Sequence, residues 1–174
     1  MRVTFPRLPD YQRAYALVDR DDGVRYRLYG GTDPFPGPRL PHDIRRLIAE
    51  RELGMTDGIW AGIAAGLVLA SMQHVSGRRP PHAAEVSRQL VRQFAGPWLR
   101  AERLANLVES VAALDRPTAG QIRRLAKTKL PDAAVDPAAI GAAATALQVE
   151  AARWARLRIG EELRYDWADG CKPR

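Results

Sequence analysis

The stretch Glu162-Leu163-Arg164-Tyr165-Asp166-Trp167 decides the fold. Leu163, Tyr165 and Trp167 alternate with charged residues, and a period of two puts the three on one face of a β-strand. The residues before it keep a different rhythm. Ile140, Ala144, Leu147, Ala151 and Trp154 recur every three or four positions, which predicts a long amphipathic helix ending near Gly160. A lone strand behind a helix leaves its backbone N–H and C=O groups without partners, so it must join a sheet. The only sheet the sequence offers lies at the other end of the chain.

There, Val3 and Phe5 alternate with Arg2 and Thr4, and Ala14 to Val18 forms a second run. Val24, Tyr26 and Leu28 alternate with Arg25, Arg27 and Tyr29. Between the last two runs lies Asp19-Arg20-Asp21-Asp22-Gly23, whose Asp-Gly step favours a hairpin turn. The reading is a single α+β domain over residues 1–174: a β-hairpin region at 1–31, a helical region at 42–160 and a C-terminal strand at 161–168. A small antiparallel sheet built from both termini packs against four or five helices.

The helical region divides at its breakers. Residues 30–41 hold three Gly and four Pro, a rigid loop. Asp43 is the expected cap of a first helix with Ile44, Leu47 and Ile48 inside. Thr56 is the expected cap of a second, in which Gly62 and Gly66 allow close packing. From Gly58 to Gly77 no residue carries a formal charge, and the apolar core of that window, Ile59 to Ala70, is too short to span a bilayer. A buried core helix is expected there. Gly96-Pro97 should stop or kink a third helix that begins near Pro81. Thr118 with Gln121 forms a capping box, and Asp136-Pro137 is a cap followed by Pro at the first helical position.

The chain has 174 residues, 46% of them hydrophobic and 27% charged, which excludes wholesale disorder. Its single cysteine, Cys171, excludes an internal disulfide and a Cys-based zinc site. The N-terminus lacks an apolar secretory segment, so a soluble, cytoplasmic protein is expected. Net charge is +7, and all but three of the 27 basic residues are arginine, as a GC-rich coding bias would give. The excess is localised. Residues 78–129 hold eleven basic residues against four acidic ones, Glu85, Glu102, Glu109 and Asp115, while the rest of the chain balances at 16 against 16. Such a segment attracts phosphate or an acidic partner.

No phosphate-binding P-loop, GxGxxG, GxSxG or HExxH is present. What remains is Leu40-Pro41-His42-Asp43, then Arg46, Glu50, Glu52-Leu53-Gly54, Gly58, Trp60 and Gly66, followed by Ser76-Gly77-Arg78-Arg79-Pro80-Pro81-His82-Ala83-Ala84-Glu85. These residues resemble a group of uncharacterised proteins from GC-rich bacteria. The group's pattern runs LPHDxxHxxxExELGxxxGxWxxxAxG, with a hairpin before it and SGRRxPHAxE after it. The resemblance covers about half the chain and implies a fold, since the group has no established activity. One departure stands out: the group's second His is Arg46 here.

Residues four apart on a helix share a face, so an HDxxH pair could hold one metal ion. Arg46 removes that possibility, because a guanidinium does not ligate metal and repels a cation. No bound metal and no cofactor are expected. Two other readings remain for the helix start. In one, His42 is simply packed beside Pro41 in a capping turn; in the other, His42 and Arg46 at a helix N-terminus suit a carboxylate or phosphate. The expected function is a non-catalytic binding or accessory protein, with catalysis left open. Its candidate site for an anion, small molecule or partner is His42, Asp43, Arg46, Glu50 and His82, with Arg78 and Arg79 closing over it. The alternative is nucleic-acid binding through Arg78, Arg79, Arg123, Arg124, Lys127 and Lys129, and the third reading is a metal-dependent enzyme with a degenerate HDxxH.

Overall fold

The computed structural model describes residues 1–9, 14–30, 40–131 and 133–167. Most of the Gly/Pro-rich loop, Cys171 and the last residue of the expected terminal strand lie outside them. Five antiparallel strands form one open sheet: β1 (Arg2–Pro6), β2 (Tyr15–Asp19), β3 (Arg25–Tyr29), β4 (Met72–Ser76) and β5 (Glu162–Asp166), in the order β4-β3-β2-β1-β5. Five helices pack beside it: α1 (His42–Glu52), α2 (Ile59–Ala65), α3 (Ala83–Ala112), α4 (Ala119–Lys129) and α5 (Pro137–Arg156). The fold is α+β.

The two ends of the sequence meet as their alternation requires. Val3 faces Tyr165 and Phe5 faces Leu163 across β1 and β5. All four side chains are buried, and the Phe5 ring meets Tyr165 and Trp60 edge-on at 6.0 Å. The Trp167 N–H donates to the Met1 carbonyl just past the strand's end. Behind the sheet, Ile44, Leu47 and Ile48 of α1 meet Leu107, Val108 and Val111 of α3 and Ile140 and Leu147 of α5 in one core. Burying each such side chain contributes about 1.5–3 kcal/mol.

The uncharged window from Gly58 to Gly77 is not one helix. Residue 66, a glycine at φ +120°, ends α2 after two turns, and the chain then forms β4, the sheet's edge. Tertiary pairing overrides the local pattern here, since Leu28 and Arg27 of β3 supply partners for Met72 and Gln73. Directly after β4, Gly77 takes φ +86° with its Cα against the Gly23 carbonyl of the β2–β3 turn; a Cβ there would lie 2.2 Å from that oxygen.

Three helix boundaries also differ from expectation. Pro41, not Asp43, is the N-cap of α1, and its carbonyl accepts from Ile44 and Arg45. The cap position of α2 is Gly58 rather than Thr56. The fifth helix stops at Arg156, short of Gly160, which turns the chain into β5 with its N–H on the Arg7 carbonyl. The third helix runs through Pro97 without stopping. A mid-helix Pro costs about 3 kcal/mol. That is outweighed by the burial of Leu104, Leu107, Val108 and Val111 beyond it, and Phe94 and Trp98 stack across the break at 6.3 Å. The caps at Thr118 and Asp136 form as read, with Thr118 accepting from the Gln121 N–H and Asp136 from the Ala138 N–H.

Candidate functional site

While α1 turns Ile44, Leu47 and Ile48 to the core, it sets His42, Arg45 and Arg46 beside α3. The facing residues are Glu102 and Glu109, seven apart and so on one side of α3. Glu102 bridges two groups of α1: it forms an ion pair with Arg46 and lies 3.3 Å from His42 Nε2. Arg45 pairs with Glu109. Asp43 Oδ1 is 3.6 Å from His42 Nδ1, and its other oxygen lies against Gly30, where a Cβ would come within 2.6 Å. Burial lowers the Arg46 pKa, and the charges of Asp43 and Glu50 oppose that shift.

Glu50 has a structural task. Its side chain is fully buried, and its two oxygens accept the N–H groups of Ile59 and Trp60, each at 2.9 Å. A carboxylate from the preceding helix thus caps α2, because Gly58 at the cap position has no side chain to do so. Gly58 is also what leaves room, since a Cβ there would lie 2.2 Å from Glu50 Oε2. Burial pushes the Glu50 carboxyl up to about 7, against the lowering effect of the Trp60 and Ile59 hydrogen bonds and the nearby Arg46 charge.

His42, Asp43, Arg46 and Glu50 are therefore brought together, with Glu102 as the member that the sequence reading missed. His82 is not among them. It is the exposed N-cap of α3, at φ 58°, twenty residues before Glu102 and so about 30 Å away along the helix axis. Arg78 and Arg79 are exposed near that same far end and do not close over His42. Glu102 also stands between His42 and Arg46, so an incoming anion would have to displace a carboxylate already there. Among the described residues, no group of three or more His, Cys, Asp or Glu could hold a metal ion. No helix among them is long and apolar enough to cross a membrane.

The basic segment looks different once α3 has its neighbours. Glu102 and Glu109 are turned to α1, and Glu85 pairs with Arg88. Elsewhere, Arg2, Arg20, Arg25, Arg51, Arg153 and Arg164 each have a carboxylate partner. Within 78–129, Arg88 alone among the described cations does. Arg92, Arg100 and Arg103 of α3 and Arg123, Arg124 and Lys127 of α4 are exposed, while Lys129 is half-buried. Ile122 and Ala126, four apart, hold the other side of α4 in the core. The chain leaving α4 at Leu130 and Pro131 shares a cleft with Arg100 and Arg103 of α3. No family model matches this chain, and no curated protein or solved structure matches it.

Proposed function

We propose that this protein is a non-catalytic nucleic-acid-binding accessory protein that holds phosphates on the outer surface of α3 and α4. One observation carries the reading: Glu102 and Glu109 are engaged by α1, so among the described cations of residues 78–129 all but Arg88 are left without a carboxylate partner. In the sequence those glutamates look like interruptions of a basic face. In the fold they belong to another interface, and the outward charge is correspondingly higher. The small-anion reading at His42 and Arg46 is less favoured, because Glu102 already neutralises that pair.

Phosphate contacts by side chains of this kind carry little sequence information, and their strength depends on counterion release. Random-sequence oligonucleotides should bind at about 50 mM salt and lose about a thousandfold in affinity by about 200 mM if six phosphates are contacted. Joint replacement of Arg123, Arg124 and Lys127 by Ala should reduce the log–log salt slope by roughly two to three. The three are exposed, so folding should be little affected, as circular dichroism would verify. Fluorescence polarisation decides the matter: absence of binding to both single-stranded and duplex oligonucleotides at the low salt would discard the proposal.

A further inference from the structure

The basic surface contains a cleft of about 450 Å³ between α3 and the chain leaving α4. Arg100 and Arg103 reach into it, three residues apart on one face of the helix, and the rest of its lining is apolar, Leu99 and Leu130 included. Leu99 is 56% exposed, a large apolar side chain left in water beside two unpartnered cations. A second cleft of about 340 Å³ adjoins the first, and Arg100, Ala133 and Ala134 line both. Its walls include Met55 and Leu104, and it contains two carboxylates, Asp57 and Asp136. The Asp136 side chain is occupied as the cap of α5. Asp57 makes no hydrogen bond or ion pair with any described residue, and it contributes no cap to α2. Arg103 thus lies in the first cleft, Arg100 where the two clefts meet, and the unpartnered Asp57 carboxylate in the second, with Met55 and Leu104 among the apolar residues beside it.

We infer that the joined clefts take one nucleotide of a single strand, with its phosphate between Arg100 and Arg103 and the donor edge of its base on Asp57. The inference rests on the nucleic-acid reading above and narrows it to a substrate class. The volumes fall within the range of small-molecule sites. Paired arginines suit a phosphate, and Met55 and Leu104 offer apolar contact to the faces of a base. A carboxylate discriminates among bases by their donors. Guanine presents N1–H and N2–H to both oxygens, while cytosine and adenine present an exocyclic amine. Thymine presents a single N–H between two carbonyls that a carboxylate repels. Within a duplex these edges are already paired, so the site requires an unpaired nucleotide.

The test compares oligothymidines of about twelve nucleotides with the same strands carrying one central dG, dC or dA, and with a duplex of equal length. A single dG should tighten binding about tenfold over thymidine alone. Asp57→Asn should abolish that preference while leaving oligothymidine binding in place, and Arg100→Ala should weaken every strand. Competition by guanosine monophosphate, set against inorganic phosphate, separates a site for free nucleotides from one that needs a strand. Equal binding of the dG and thymidine strands, a dG preference that survives Asp57→Asn, or duplex binding as tight as single-strand binding each overturns the inference and leaves the salt-dependent phosphate reading intact. Loss of all oligonucleotide binding by the wild-type protein overturns both.

Discussion

Glu50→Ala is expected to lower folding stability by about 3–5 kcal/mol near pH 6. The substitution leaves the Ile59 and Trp60 N–H groups without acceptors at the start of α2, and each buried unsatisfied donor costs about 1–3 kcal/mol. Gly58→Ala should approach the same loss from the other side, by pushing the cap away. Because burial raises the Glu50 pKa to about 7, from 4.5 in an exposed carboxyl, the folded state holds this proton more tightly than the unfolded chain. The resulting stability is fully present below about pH 4.5 and is lost as pH rises through 7. The amide of a Glu50→Gln variant does not titrate. Urea denaturation from about pH 4.5 to pH 8 should therefore show wild-type stability falling relative to that variant, by up to roughly 3 kcal/mol. A difference between wild type and Glu50→Gln that stays constant across the window would contradict this account of the buried carboxyl.

Gly77→Ala should be nearly as damaging. The new Cβ would meet the Gly23 carbonyl at 2.2 Å and Val24 Cα at 2.9 Å, and both are backbone atoms that no rotamer change can move. The residue's φ of +86° adds strain for any residue with a side chain. Overpacking and backbone strain each cost about 1–3 kcal/mol, so a total of about 3–5 is expected. For a chain of this size that means a melting temperature lower by about 6–15 °C. Hydrogen exchange should locate the damage in β4 and the start of α3. A variant melting within about 2 °C of wild type would show that the turn yields readily.

Much of the fold is legible in the residues themselves. The alternation at Leu163, Tyr165 and Trp167 is local, and so are the caps at Thr118 and Asp136; each forms from side chains within a few positions of one another. What could not be read depends on distant partners. Met72 to Ser76 carries no charge and no strict alternation, and it becomes a strand because β3 lies alongside. The α2 cap comes from Glu50, eight residues before Gly58, where no rule of local capping looks for it. Within the candidate site, His42, Asp43, Arg46 and Glu50 are recognisable by spacing along one helix. Their partner Glu102 is fixed by the α1–α3 contact, and its only trace in the sequence is the seven-residue interval to Glu109.

The pairing of β1 with β5 sets a schedule for the chain during synthesis. Arg2 and Asp166, side by side in the finished sheet, are 164 residues apart in sequence. At about 5–20 residues per second, a ribosome needs on the order of 10–30 s to supply the second neighbour of β1. The β1–β2–β3 meander can pair early, but until β5 emerges one side of Val3-Thr4-Phe5 is an open edge, with apolar side chains and unbonded amides. Tyr165 and Leu163 close that edge only once β5 has emerged, so the nascent chain is most prone to aggregate in the interval before that strand arrives.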